Sequence, residues 1–563
     1  MSARIALVSF DAVVAGTLNT FSYSVHKLKA SLTSWPELGD AEICVINRES
    51  NDPEDFLAPL MEFQPTLIGA SLYVWSLAPF REVAATYKKF APEVPIVVGG
   101  PSARRNVFDL APYHSFRETV DAIVVGEGEE VIRQLVEHHQ NDDWQSKIPG
   151  LLTWDGSDWT STEEAERPVV DRYPSPYHLD SAPKGSGFIE TFRGCPINCS
   201  FCQWGGVPLG GVHSAEYIAN HLEGLRRADV ENVFFLDAAF NLSPRAFRNL
   251  LEADKEVNAL KDFTVFGHLY PTLVKDMHLE LFARCGKVHP AIGIQSFDQE
   301  VLKRIGRPFD QQRFEGVISA IRDDHGIDIE LIMGLPGDRP ESFRKTVEKA
   351  IELGDAVRIA FCMILPDALL DRARPSDGIE FDTETFLLQS CNGWSAETLA
   401  REWEWVHEVA GQHYQQEIGG SWVGFRTQER GRFEERFPER RVPELRQERP
   451  AEIASLPAAT VERLQKEVAQ RVDDFRLCSL RNHDGRVSAD LDGPKGDVTL
   501  RATRANPEGR YFVRRDGIDY SHQGEVGREG AKSLRHVIDV LHSDVRLLLE
   551  VPGELIQLGK TSA

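Results

Sequence analysis

Phe192-Arg193-Gly194-Cys195-Pro196-Ile197-Asn198-Cys199-Ser200-Phe201-Cys202 carries three cysteines at C-x3-C-x2-C spacing, with an aromatic residue before the third. Thiolates are soft ligands that suit iron–sulfur clusters or zinc. Three on one short loop can hold three irons of a [4Fe-4S] cube and leave the fourth open, by the logic that leaves a catalytic zinc one free position. Gly194, Pro196 and Asn198 are turn formers, as a loop wrapped round a cluster requires. Zinc would want a fourth ligand from a second nearby pair, and none follows; buried free cysteines are the plain alternative.

The loop sits just after the first strand of a repeating pattern. Strands are expected at Gly187–Phe192, Asn232–Leu236, Phe263–Gly267, Pro290–Ile294, Ile327–Met333 and Val357–Ile364, with helical patterns between them. Six such units make an open partial (β/α)6 barrel over 186–375, and barrel chemistry lies at the carboxyl ends of strands. Upstream, residues 1–145 show the same alternation: Arg4–Phe10, Glu42–Asn47, Thr66–Ser71, Pro95–Gly99 and Ala122–Val125 read as strands of a doubly wound, Rossmann-like α/β domain. Three places at its carboxyl edge are marked: Ser71-Leu72-Tyr73-Val74-Trp75, Gly99-Gly100-Pro101-Ser102 and Gly126-Glu127-Gly128-Glu129. Glycines after strands let backbone approach a ligand closely, though tight turns use glycine for geometry alone.

Residues 146–185, punctuated by Pro168, Pro174, Pro176 and Pro183, read as an extended linker. Residues 376–563 read as a C-terminal domain, mostly helical to 480 and α+β beyond. Glu402–Gln416 reads as an amphipathic helix, Asp497–Thr503 and Tyr511–Arg514 as strands, and Ala531–His542 as a helix. Trp394, Trp403, Trp405 and Trp422 are expected in its core, and 425–450 is charge-dense.

The chain has 563 residues, enough for about three or four domains. A net charge of −24 argues against nucleic-acid or anionic-membrane partners, which need a basic surface. No apolar run approaches a membrane span, and Met1–Phe10 reads as a first strand, not a signal peptide. Outside the trio the other five of the eight cysteines are scattered, which fits a reducing cytoplasm.

C-x3-C-x-aromatic-C opening a β/α domain resembles the radical S-adenosylmethionine (SAM) superfamily. The resemblance implies that Cys195, Cys199 and Cys202, with Phe201 beside them, hold the cube. It implies that SAM chelates the open iron and is cleaved by an electron from the cube to a 5′-deoxyadenosyl radical. It puts the loop for the SAM amino and carboxylate groups at Asp237, where the family's common Gly-Gly-Glu form is absent. It brings Gln295 and Ser296 to the SAM ribose or the substrate, and lays Gly334 and Leu335 on the adenine. The three N-terminal turns, including Ser71, Leu72, Tyr73 and Trp75, resemble the cobalamin-binding domain of one radical SAM subclass. The D-x-H-x-x-G motif, whose His ligates cobalt from below, is missing, so cobalamin without a protein His ligand is expected.

Enzymes of that subclass mostly methylate unactivated carbon. The resemblance therefore implies methyl transfer to a small-molecule or peptide-derived intermediate, with a flavodoxin- or ferredoxin-type electron donor. A cyclase or ring-rearranging enzyme of the same subclass is the alternative. Methylthiotransferases carry three further cysteines in the N-terminal domain, where only Cys44 is present. A cobalamin- or redox-sensing binding protein would leave the SAM barrel unexplained. Replacing Cys195, Cys199 and Cys202 together by Ala is expected to abolish cluster assembly. Iron and sulfide assays after anaerobic reconstitution check this, and a triple variant that still holds one cube refutes the assignment.

Overall fold

Ile5 to Phe10 are buried without a break, the pattern of a strand covered on both faces. This run is β1 (Arg4–Phe10) in a computed structural model that describes residues 3–10, 21–48, 50–141, 143–167, 169–179, 185–321, 326–419 and 421–427, and the backbone of strands between 476 and 557. β2 (Glu42–Arg48) and β3 (Leu67–Ser71) flank β1, with β4 (Ile96–Gly99) and β5 (Ala122–Val124) beyond β3, all parallel. The order β2-β1-β3-β4-β5 reverses the winding between β1 and β3, where such sheets open a crevice at their carboxyl ends. Helices Tyr23–Thr33 and Gly128–His138 pack on one face, Glu54–Phe63 and Leu77–Phe90 on the other.

The sheet does not end near residue 145. β6 (Leu151–Trp154) and β7 (Trp159–Ser161) extend it as antiparallel strands, so the first part of the expected linker is a hairpin. Asp155 closes the turn, its Oδ1 accepting from the Ser157 and Asp158 amides at 2.8 Å. Trp154 and Trp159 pack edge to face at 5.4 Å across it.

β8 (Gly185–Ile189), β9 (Val230–Phe235), β10 (Thr264–His268), β11 (Lys287–Gln295), β12 (Asp328–Met333) and β13 (Ala356–Phe361) lie side by side in chain order, all parallel. Val233, Val265, Ile292, Ile329 and Ile359 pack with apolar residues of the outer helices in one core. The alternate positions, among them Phe234, Phe266, Glu330 and Arg358, occupy the opposite, inner face.

The sheet also continues past residue 375. Trp422–Arg426 runs antiparallel to β13, with Tyr414–Gly419 next in order. Among the described residues of 376–427 one α-helix, Ala396–Gly411, lies between short strands, starting at the Ser395 cap, and residues 428–475 of the stretch expected to be mostly helical lie outside the described residues. Trp394 is buried core, as expected, while Trp422 lies under the Arg358 guanidinium at 4.7 Å. A second compact unit holds most of the remaining chain. Its described part is an antiparallel sheet in the order Ile518–Tyr520, Arg510–Arg515, Gly496–Thr503, Arg486–Gly493, Arg476–His483, Leu555–Gln557. The expected helix at 531–542 and the charge-dense stretch from 428 lie outside the described residues. Among the described residues no helix is long and apolar enough to cross a membrane.

Gly100 and Gly126 both have positive φ, +95° and +92°. A Cβ on Gly100 would sit 2.8 Å from the Leu72 carbonyl, whereas one on Gly126 meets nothing within 4 Å. Left-handed backbone costs a non-glycine residue about 1–2 kcal/mol at either site. Gly100→Ala adds a backbone collision and is expected to lower thermal stability clearly more than Gly126→Ala. Equal melting shifts refute the close packing at Gly100.

Candidate functional site

The end of β8 and the end of β9 are tied by one buried carboxylate. Asp237 accepts from the Thr191 amide at 2.8 Å, the Thr191 hydroxyl at 2.7 Å and the Phe192 amide at 3.1 Å. It thus fixes the chain entering the cysteine loop, at the strand end where the SAM contact is expected. Desolvation pushes its carboxyl up to about 7 despite those three donors. The loop itself is pinned by main-chain bonds, Cys195 amide to Val207 carbonyl and Ser200 amide to Ile305 carbonyl, each 2.8 Å. Arg372, after β13, donates to Asn198 Oδ1 at 3.1 Å and to the Cys199 carbonyl at 3.2 Å.

Cys195 and Cys199 are buried and Cys202 is partly so, and the three thiols act electrostatically on one another. Burial raises Cys195 and Cys202 above the usual thiol range, so assembly of a cluster must release their protons. Arg307 Nη1 lies 3.7 Å from Cys199 Sγ, and its guanidinium sits 5.3 Å over the Tyr270 ring. Among the described residues no three His, Cys, Asp or Glu side chains converge on a single ion. A cube takes one thiolate per iron at separate corners, so three soft donors on one loop with a cation beside them fit it.

Both flanks of the loop are held by the N-terminal sheet. Before it, Arg193 pairs with Glu190 at 2.9 and 3.0 Å and with Glu127 and Glu129 of the second glycine turn. Glu127 and Glu129, expected at the cofactor edge, are thus also ion-pair partners of Arg193. Glu190 is largely buried; burial would raise its carboxyl, but Arg193 and His213, whose Nε2 lies 3.7 Å away, hold it down to about 2. After the loop, Gln203 Nε2 donates to the Pro101 carbonyl at 3.0 Å and the Pro366 carbonyl at 3.1 Å.

At the β1/β3 crevice Tyr73 and Trp75 stack at 4.6 Å, and Trp75 donates its indole N–H to the Phe10 carbonyl at 2.9 Å. Trp75 remains 44% exposed, a flat apolar platform at the edge. Leu72 is buried, its amide on Gly99 and its carbonyl on Ser102, which knits the first two turns together. Ser71 Oγ accepts from Ser24 at 3.2 Å. The buried hydroxyls of Ser9 and Ser102 have no partner among the described residues. An aromatic platform with unpaired buried hydroxyls fits a large amphiphilic ligand such as cobalamin.

The barrel mouth divides the remaining expectations. Gln295 is buried with φ +73°, at a bulge where β11 pairs with β12, and such an outlier is what functional sites store. Ser296, beside it, has a structural use. Its hydroxyl accepts from the Asp298 amide at 3.2 Å and lies 3.5 Å from Thr346 of the outer helix. A Cβ on Gly334, where φ is +93°, would meet Leu388, Leu399 and Cys362 within 3.0–3.3 Å, so the turn leaves no room for a side chain there. Leu335 is buried with Val301, Leu302 and Ile305, and Phe201 packs against the same cluster, anchoring the cysteine loop.

Sequence reasoning missed Arg372, Gln203 and the pair on the inner face, His268 and Glu330, 3.0 Å apart. Desolvation would lower His268, but the Glu330 hydrogen bond and charge raise it above the usual imidazole range; Glu330 is lowered in turn. Only the approach of distant strands brings them together. His268 was legible merely as a polar residue ending a strand.

Residues 189–350 match the family model of the Radical SAM superfamily, and residues 37–136 that of the B12 binding domain. The cobalamin-dependent radical SAM methyltransferase TokK of Streptomyces tokunonensis is 29% identical over 401 residues, covering 64% of this chain and 54% of that protein. The 2-(S-pantetheinyl)-carbapenam-3-carboxylate methyltransferase of Streptantibioticus cattleyicolor is 30% identical over 339 residues, covering 54% and 48%. The chain spans about half the length of these curated relatives. The radical SAM methyltransferase TsrM of Kitasatospora setae, solved with tryptophan substrate and a SAM analog, matches with a TM-score of 0.55. It is 18% identical, with 68% of this chain and 79% of that one covered, which shows a shared fold.

Asp237 supplies a pH test. Folded, it keeps its proton to about pH 7; unfolded, it ionises near about 4. The native state binds the extra proton between those values, so stability falls as pH rises through that window and levels off above it. Asp237→Asn keeps the donors and acceptors of the site without titrating. The melting-temperature difference, wild type minus variant, should fall from pH 5 to pH 7.5. A difference that does not change with pH shows that Asp237 does not titrate there.

Proposed function

We propose, on the premise that this chain belongs to the radical SAM superfamily and carries a B12 binding domain ahead of its core, that it methylates an unactivated carbon. The acceptor is a small-molecule or peptide-derived biosynthetic intermediate. The observation that carries this reading is the double anchorage of the cysteine loop. Arg193 joins it to the Gly126–Glu129 turn and Gln203 to the Gly99–Ser102 turn, so the carboxyl edge of the first sheet adjoins the cluster loop. When bound, the [4Fe-4S] cluster with SAM supplies a 5′-deoxyadenosyl radical and cobalamin supplies a methyl carrier.

The chain's own residues have separable tasks. Cys195, Cys199 and Cys202 hold three irons. Arg307 sets a positive charge beside Cys199, where an anionic cluster and the SAM carboxylate need one. The Tyr73–Trp75 platform and the hydroxyls of Ser9 and Ser102 would hold cobalamin. The inner face receives the acceptor: Phe234 and Phe266, stacked at 4.7 Å, give an apolar wall, and the His268–Glu330 pair gives a charged one. Covering the mouth with the first sheet keeps water from radicals. Electrons come from an external flavodoxin- or ferredoxin-type donor. The seven described cysteines are all free thiols, consistent with a reducing cytoplasm.

The test is anaerobic turnover of the reconstituted protein with methyl-deuterated SAM and a panel of carbapenam carboxylates and indoles, the kinds of compound that the relatives' names suggest. A product carrying the deuterated methyl group, formed together with 5′-deoxyadenosine, is expected. Turnover with deoxyadenosine but without label transfer makes the chain a non-methylating member of its subclass. Absence of deoxyadenosine under every condition refutes radical chemistry altogether.

A further inference from the structure

We infer that Gln203 is a positioning residue that fixes the cobalamin edge of the first sheet over the cluster; this rests on the function proposed above. Gln203 follows Cys202 directly, and its amide nitrogen is used in full. Both Nε2 hydrogens are engaged, one by the Pro101 carbonyl at 3.0 Å and one by the Pro366 carbonyl at 3.1 Å. Each acceptor is a proline carbonyl, presented on backbone whose φ is locked by the ring. One side chain therefore joins three segments: the cluster loop, the Gly99–Ser102 turn and the connector after β13.

The surrounding contacts converge on the same node. Arg104 pairs with Asp367 at 2.6 Å and donates to the Gly100 carbonyl at 2.8 Å. Asn106 donates to Asp371 at 2.7 Å. Arg372, one residue further, holds the Cys199 carbonyl. Asp367 carries φ +55°, a left-handed conformation that a non-glycine residue keeps only where its surroundings impose it. No strand pairing depends on Gln203, so losing it loosens the register between two otherwise intact sheets. Methyl passage from SAM to cobalt needs both sheets in register, whereas reductive cleavage of SAM needs only the cluster.

Gln203→Glu keeps the shape and sets a carboxylate oxygen against two carbonyls. Gln203→Lys restores a donor. The measurements are cluster iron and sulfide, cobalamin affinity, 5′-deoxyadenosine formed from SAM under dithionite, the rate of methyl transfer from SAM to bound cobalamin, and the cobalt-to-cluster distance by pulsed electron paramagnetic resonance. Gln203→Glu should slow methyl transfer roughly ten- to a hundredfold, as small misplacements do, and broaden the distance distribution. Deoxyadenosine formation and cluster content should stay near wild type, and Gln203→Lys should recover part of the transfer rate. If Gln203→Glu is not recovered folded, Arg104→Gln loosens the same node and should show the same selective loss. Unchanged transfer and distance overturn the proposal, as does a parallel loss of cluster and deoxyadenosine, which would make Gln203 only a support of the loop. A wild-type protein that retains no cobalamin overturns the functional reading itself, a result distinct from either.

Discussion

A single guanidinium, that of Arg193, is shared by the carboxylates of Glu127, Glu129 and Glu190, and the geometry of the cysteine loop hangs from it. Arg193 is 17% exposed and Glu129 only 7%. Groups so enclosed gain little net stability from pairing, because desolvation offsets most of the attraction, but breaking the set strands several charges at a cost of about 3–5 kcal/mol. The network therefore acts as a constraint on position. Two of its carboxylates come from the first sheet and one from the end of β8, so the guanidinium can satisfy all three only when the two sheets stand in one register.

That constraint explains why the glycine turns are rich in polar residues. Backbone at Gly100 passes so close to Leu72 that no side chain fits, which brings Pro101 within reach of Gln203. The turns were legible in the sequence, since glycine after a strand marks a tight βα connection wherever it occurs. The strands and most helices were legible too, because their apolar periods are local. Two of the helical patterns expected between the barrel strands stand as Ala215–Arg227 and Pro244–Val257. What the sequence hid were the destinations of polar side chains. Glu127 reaches Arg193 across 66 positions, Gln203 reaches Pro366 across 163, and Arg372 reaches Cys199 across 173. Only docking of distant segments decides such pairings. Asp237 and Ser296 sit at strand ends where a ligand contact is expected, and both also hold backbone, a use their sequence context did not reveal. The Trp154–Trp159 hairpin was missed for a different reason: its Asp155-Gly156 turn was visible, but prolines downstream made the whole stretch look extended.

Charge is distributed against the global balance. The chain carries −24 overall, yet Arg193, Arg307 and Arg372 all lie along the cysteine loop. A cube held by three thiolates is anionic, and nearby cations and hydrogen bonds to its surroundings are among the levers that set its potential. Arg307 is the nearest of these to sulfur, and it also donates to the Gly293 carbonyl at the start of the β11 bulge. The strained residue of that bulge, Gln295, is therefore coupled through main chain to the cation beside Cys199. Any ligand that displaces the Gln295 amide acts on the position of Arg307 as well.

The inner face carries its own chemical logic. Under the function proposed above, hydrogen-atom abstraction from a saturated carbon would leave no proton for a base to collect, so an ionised His–Glu pair there would have no part in removing one. Glu330 engages His268 through Nε2 and keeps the imidazole protonated beyond its usual range, while Nδ1 has no partner among the described residues. A protonated ring held at one nitrogen presents a fixed N–H at the other. That is a directional, charge-assisted donor suited to orient an acceptor oxygen on a substrate. The stacked Phe234 and Phe266 lie on β9 and β10, and Arg358 and Trp422 lie on the far strands. A substrate spanning this face would meet apolar surface on one side and charge on the other, which favours an amphiphilic acceptor whose polar end is held while its carbon framework lies toward the rings.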